Sequence, residues 1–316
     1  DALSKGEVDS INSITPQNTA FLELNGASIM RSPLPRVFAV FFNQNQASVF
    51  TYKEVRQALD LVVDREAIIE SVLRGYGTAI NSPLPAKAGD TSTEDNAAPV
   101  DEESRIAAAR ALLERNGWKQ NESGIYEKKV KKEVVRLTFA LSTAETPELK
   151  EAARLLKEQW EKVGASVDVK VFEIGDLNQS VIRPRKYDAL LFGEVVGRDL
   201  DLYAFWHSSQ RNDPGLNIAN YTNSKTDALL EKARAITEES ARREANADAV
   251  EEIVKDVPAI FLYSPDFIYV APQGLLGIRI GEVTTPSERF LNIEEWYTEK
   301  ESVWKFFQRK KENRNN

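Results

Sequence analysis

The chain has 316 residues, enough for about two domains at roughly 150 residues each. Lys plus Arg is 41 and Asp plus Glu is 49, a net charge of −8, with 42% hydrophobic and 28% charged residues. This is globular composition and excludes a wholly disordered chain; the acidic balance argues against nucleic acid, whose phosphates need a basic face. Cysteine is absent, which removes disulfides, thiolate metal sites and cysteine nucleophiles. The single histidine, His207, leaves a Ser–His pair open but excludes a multi-histidine metal site.

Residues 1–28 suggest a short helix, a turn at Gly6, and a second helix opened by Thr15-Pro16. A Pro-broken linker is expected at 31–35. Residues 37–43 (VFAVFFN) are an apolar run of β-formers and predict a buried strand. Helix is predicted over 52–73, with Asp64 capping a second segment and Gly75 and Gly77 ending it. Residues 81–100 show no period and predict a long surface loop. A helix over 101–116 stops at Gly117. Residues 125–130 and 134–142 alternate around Lys131-Lys132-Glu133 and predict a β-hairpin. Thr146-Pro147 opens a helix to 163, with Leu149, Leu156, Trp160 and Val163 on one stripe and Gly164 as its stop.

A strand over 167–172 follows. Strand, crossover helix, strand in that order implies a parallel pair with a right-handed connection. Residues 187–192 (YDALLF) predict another buried strand, 202–207 a helical turn, and 224–236 a helix capped by Ser224. A further helix over 240–257 ends before Pro258. Strands are predicted at 259–263 and 267–270, separated by Ser264-Pro265-Asp266, and 290–296 is short and amphipathic. Residues 305–316 are polar and basic and read as a solvated tail, with contact to a membrane surface as the alternative. No window approaches 18 apolar residues. The chain starts at Asp1, so any export signal or lipid anchor is expected upstream.

Most motifs read blandly. Gly274, Gly277 and Gly281 are spaced for turns rather than for a nucleotide fingerprint. His207 follows Phe205 and Trp206 and reads as a packing residue; the charges over 238–252 read as a solvated helix face. Residues 187–205 (YDALLFGEVVGRDLDLYAF) are less bland. A strand is followed by Gly193 and Gly197, and by Glu194, Asp199 and Asp201 on the expected loop. Ligands in open α/β sheets bind beyond the carboxyl ends of strands. Carboxylates there, near Tyr203, Phe205 and Trp206, suit a cationic group such as an amine, and helix capping by Asp199 or Asp201 is the competing reading.

The ordered segments resemble the C-terminal half of the extracytoplasmic solute-binding proteins of dipeptide/oligopeptide ABC importers. The matching pieces are ALSKGEVDS (2–10), VFFNQ (40–44), EVRQALDLVVDREAIIESVLRGYG (54–77), SPLP (82–85) and AAARALLERNGW (107–118). LDLYAFWHSS (200–209), NIANYTNSKTDALLEKAR (217–234), VPAIFLYSPDFIYVA (257–271) and RFLNIEEWY (289–297) continue the order. The resemblance implies an α/β fold: a periplasmic-binding-protein-like lobe with a mixed, partly parallel sheet flanked by helices, plus an incomplete second lobe. Residues 36–271 would form the ligand-binding lobe, with hinge strands near 36–44 and 262–271; residues 1–35 and 272–316 would form part of the other. The chain then reads as N-terminally truncated, with a missing N-terminal half as a partner.

The resemblance also implies a site. Asp199, and Asp201 second, match the Asp that holds a peptide's amine, and Glu194, Gly193, Tyr203 and Trp206 complete the expected ligand-binding set. Two departures from the peptide pattern stand out: Glu194 where a Trp often follows the strand's Gly, and Asp201-Leu202 where Asp-Pro is usual. The implied function is solute binding, with peptide as ligand, for an ABC permease outside the cytoplasm, without catalysis, cofactor or metal. The alternatives are a receptor or scaffold that no longer serves transport, and a hydrolase on the same fold.

Overall fold

The computed structural model describes residues 2–3, 5–12, 14–24, 27–86, 101–197, 201–272, 274–281 and 283–299. Near the start, turns replace the expected first helix: the Gly6 N–H donates to the Leu3 carbonyl with Gly6 at φ +69°, which reverses the chain. Strand β1 (Ile11–Asn12) follows, and Pro16 begins a turn that leads into α1 (Thr19–Leu24). Next come β2 (Ser28–Pro33) and β3 (Arg36–Phe42). The expected linker is thus strand as far as Pro33. Pro is tolerated there because β2 is an edge strand, where a missing N–H breaks no interior ladder.

Helices α2 (Lys53–Leu61) and α3 (Arg65–Leu73) are separated by Asp64, whose carboxylate accepts from the Ala67 N–H as anticipated. Arg74, in the left-handed region, closes α3, and β4 (Gly77–Ala79) was not foreseen. After α4 (Glu102–Arg115) come β5 (Lys119–Gln120), β6 (Tyr126–Val130) and β7 (Glu133–Arg136), a small antiparallel sheet. The hairpin expected to reach 142 breaks at buried Leu137, whose N–H bonds the Tyr126 carbonyl, and β8 (Thr138–Ala144) enters the main sheet. Helix α5 (Pro147–Val163) and β9 (Ser166–Phe172) give the expected parallel crossover. A short α6 (Ile174–Asp176) runs into a π-helix (Leu177–Ile182), then β10 (Ala189–Val195).

Strand β10 extends three residues past the predicted end, so Gly193 and Glu194 lie in the strand and not on the loop. The chain continues with α7 (Tyr203–Trp206), α8 (Ser224–Ala235), α9 (Glu239–Asp256), β11 (Ala259–Ala271), β12 (Leu275–Leu276) and β13 (Tyr297–Thr298). Asn223, not Ser224, caps α8: its Oδ1 accepts from the Lys225 and Thr226 N–H groups, while Asp227 bonds Ser208 instead. The two strands expected around Ser264-Pro265-Asp266 are one continuous strand.

The main sheet runs β11-β3-β10-β8-β9, with β8 parallel to β9 and β10, and β3 antiparallel to β10 and β11. Helices cover both faces. On one, Phe42, Phe50, Phe139 and Trp160 form a chain of aromatic contacts with centroids 4.5–5.6 Å apart. On the other, Trp206 packs against Phe41 and Phe261. The first half of β11 pairs with β3 and β4; its second half pairs with β1 and β2. At the changeover Leu34 N–H donates to the Pro265 carbonyl, and Asp266 N–H to the Tyr76 carbonyl. The large core ends at Tyr263; a smaller one begins at Phe267 and takes in Tyr269, Ala271, Val283, Met30 and Trp296. The same strand therefore serves two cores.

Buried Arg56 fixes where β11 begins. Its guanidinium donates to the carbonyls of Val257 (2.8 Å), Asp256 (2.7 Å) and Phe50 (2.5 Å), tying the end of α9 to the turn before α2. Arg56→Met deprives all three carbonyls of that donor. Unfolding in urea is expected to show a loss of about 3 kcal/mol; a change below about 0.5 kcal/mol, the range of neutral surface changes, would contradict this role.

Candidate functional site

A cavity of about 390 Å³ opens where β8 and β10 end and β3 begins. Arg36 and Phe38 of β3, Phe192 and Gly193 of β10, and Tyr263 and Pro265 of β11 form one wall. Thr146, Glu148 and Leu149 at the start of α5, with Leu73 at the end of α3, form the other. The Phe38 and Tyr263 rings stack at 5.1 Å and 19°. Gly193 is opposite Phe38 in register, and a Cβ on it would meet the Phe38 ring at 2.8 Å. Any side chain there would therefore push the ring off Tyr263 and into the cavity.

A second concavity of about 430 Å³ lies at the other end of the same strands, lined by Gln46, Glu133, Arg136, Thr138 and Asp188 among others. Open α/β sheets bind ligands at the carboxyl ends of their strands, which favours the first cavity.

The five described among the six expected site residues do not converge. Gly193 lines the cavity. Asp199 lies outside the described residues. Asp201 is already engaged: one oxygen accepts from the Tyr203 N–H (3.2 Å) and the other from Arg234 (2.9 Å). Tyr203 is sandwiched between the His207 ring, stacked at 4.1 Å, and the Arg234 guanidinium 4.3 Å from its ring centre. Asp201 and Tyr203 thus share one cluster with Arg234 and His207. His207 Nδ1 accepts from the Ser209 N–H, which turns Nε2 toward Glu231 at 3.3 Å. Trp206 is almost fully buried in the interior.

Glu194 pairs in register with fully buried Val37 and so points to the Trp206 face, away from the cavity. Its Oε1 has no hydrogen-bond partner among the described residues, and burial pushes its carboxyl well above the ordinary carboxylate range. Sequence reasoning missed Arg36, Phe38, Glu148 and Tyr263. Gly193 inside a strand was the available signal, since Gly there marks a close approach. Among the described residues, no group of three or more His, Asp or Glu side chains is placed to hold a metal, and no helix is long and apolar enough to cross a membrane.

Residues 1–239 match the family model for bacterial extracellular solute-binding proteins, family 5 Middle. The chain belongs to this family. The oligopeptide-binding protein AppA of Bacillus subtilis (strain 168) is 29% identical over 265 residues, covering 83% of this chain and 47% of that protein. Heme-binding protein A of Haemophilus influenzae is 28% identical over 236 residues, 74% of this chain and 40% of that one. The solved structure of Bacillus subtilis AppA in complex with a nonapeptide superposes with a TM-score of 0.70 at 26% identity, over 95% of this chain and 57% of the other. The family 5 chain described here spans about half the length of these relatives.

The buried Glu194 gives a signed pH dependence. Folded, the carboxyl keeps its proton above about pH 4.5, where the unfolded chain has lost it. The folded state then binds more protons, so this group's contribution falls as pH rises through that window. Glu194→Gln removes the dependence. Chemical denaturation across pH 4.5–8 is expected to show the variant gaining on the parent as pH rises; parallel curves would show Glu194 ionised or solvated.

Proposed function

We propose that this family 5 chain is the solute-binding component of an ABC importer, that peptide is its ligand, and that the cavity at the crossing of the two cores is the seat. The observation that carries the reading is the position of that cavity: at the carboxyl end of β10, beside the point where β11 passes from one core to the other. Likeness to a peptide-binding relative supports peptide as the ligand class. In this reading residues 36–271 form the ligand-binding lobe and residues 1–35 and 272–316 belong to another. The segments 34–36 and 264–266 act as the hinge between them.

Gly193 lies in the seat, and the segment that follows β10 in sequence includes Asp199 and Asp201. Ligand drives closure by binding the closed form more tightly, without covalent chemistry. The protein works outside the cytoplasm and delivers its ligand to a membrane permease. Thermal unfolding with and without a pool of short peptides tests this. Peptide at a hundred times its dissociation constant is expected to stabilise the chain by about 2.7 kcal/mol, seen as a raised Tm. No shift with any peptide up to millimolar concentration would overturn the reading.

A further inference from the structure

The small sheet of β5, β6 and β7 is fastened to the body by one face. The Tyr126 hydroxyl donates to Glu114 at 2.7 Å, and its backbone N–H to the Gly164 carbonyl. Lys128 reaches back to Glu54 at 3.0 Å, with its ammonium 4.9 Å from the centre of the Tyr52 ring. Val135, opposite Lys128 in register, packs on the large core. Strand alternation sends the neighbouring residues outward. Lys119, Lys129 and Val134 are exposed on that outer face, and Lys131 and Lys132 at the turn that joins β6 to β7. None of these four lysines makes an ion pair or a side-chain hydrogen bond with a described residue. The acid on the outer face, Glu127, is taken by Arg136 at 3.2 Å. Two exposed acids lie nearby: Glu122 beyond the opposite end of β6, and Glu133 lining the second concavity. Lys131 has φ +56°, a region that glycine or asparagine enters at lower cost, so backbone sterics does not account for a lysine there. In a chain of net charge −8 this is a local cationic surface, and apolar Val134, 47% exposed, stands opposite Lys129 within it.

We propose that the outer face and turn of the β6–β7 hairpin dock on the anionic headgroups of a lipid bilayer. The four lysines meet phosphate charge, and Val134 enters the boundary between headgroups and acyl chains. Lysine is a point charge on a flexible stem, suited to a fluid array of phosphates rather than to one fixed group. Val134 favours a bilayer over a soluble polyanion, which offers an apolar side chain nothing to enter. Glu133 and Arg136 of β7 line the second concavity, at the end of the strands opposite the first cavity. Docking by this hairpin therefore turns the mouth of the first cavity away from the membrane and toward solvent. The inference goes beyond the proposed function and does not depend on which ligand that cavity takes.

Sedimentation of the full chain with vesicles tests it, at about 0.1 M salt, where charges act over about 10 Å. Vesicles of phosphatidylcholine with about one-third phosphatidylglycerol are expected to carry the chain down, and pure phosphatidylcholine is not. Each lysine at the surface contributes about fivefold in partitioning, so the triple variant Lys129→Gln, Lys131→Gln, Lys132→Gln is expected to bind about a hundredfold more weakly. The control triple Lys150→Gln, Lys170→Gln, Lys232→Gln changes net charge equally through exposed lysines of α5, β9 and α8, and is expected to stay within about threefold of the parent. Val134→Ser is expected to cost about fivefold. The hairpin's anchors, Tyr126 and Lys128, are untouched, so every variant should melt with the parent; should the hairpin triple fail to fold, Lys131→Gln and Lys132→Gln singly, each at about fivefold, carry the same test. Hydrogen exchange with vesicles is expected to slow at 119–120 and 126–136 and not at 36–38 or 192–197. Equal binding of the parent and the hairpin variants, an equal loss in the control triple, or slowing at the first cavity in place of the hairpin would each overturn the proposal. Displacement by soluble polyphosphate, with no effect of Val134→Ser, would overturn the bilayer in favour of a free polyanion.

Discussion

Strand β11 changes ladder partners along its length, from β3 and β4 in its first half to β2 and β1 in its second, and the arrangement of the cavity depends on that ladder. In its first half the ladder sets Tyr263 opposite Phe38, which in turn sits opposite Gly193. Three strands thereby bring two rings and one bare backbone to a single level. At Pro265 the ladder changes partners, and two backbone bonds, from the Leu34 N–H to the Pro265 carbonyl and from the Asp266 N–H to the Tyr76 carbonyl, tie the crossing to its neighbours. Asp266 sits at this point with its carboxyl raised by burial, offset in part by Arg31 at 3.9 Å.

The two faces of the sheet divide the labour. The side of Phe38 and Gly193 opens into the cavity, while the side of Val37 and Glu194 is sealed by Trp206 and its neighbours. Adjacent residues of β10 therefore have opposite surroundings, one bordering the cavity and the next an apolar interior. Alternation in a strand turns a one-residue difference into a change of face. For the same reason Glu194, which in sequence is next to a cavity residue, is not a cavity residue.

Much of the frame was legible in the sequence. Asp64 caps α3 and Thr146 opens α5 as its cap, and the crossover from β8 through α5 to β9 follows from the 3.6-residue stripe of Leu149, Leu156, Trp160 and Val163. What was not legible depends on tertiary pairing. Pro33 and Pro265 read as breaks, yet both lie in strands, because one is on an edge and the other sits where the partner strand changes. The end of β10 was misplaced because Gly193 and Glu194 have low strand propensity, while seven register pairs with β3 carry the strand through them. The cavity charges were invisible for a related reason. Arg36 and Glu148 are 112 positions apart, and only the fold brings a strand start and a helix start to one space.

Hydrogen exchange with and without peptide tests the central claim most directly, because it reports where a ligand sits without assuming which residue holds it. The account predicts slowed exchange confined to amides near 36–38, 192–197 and 263–266, with the concavity at 46–49 and 133–138 unchanged. Slowing at that second concavity, with none at the crossing, would contradict it.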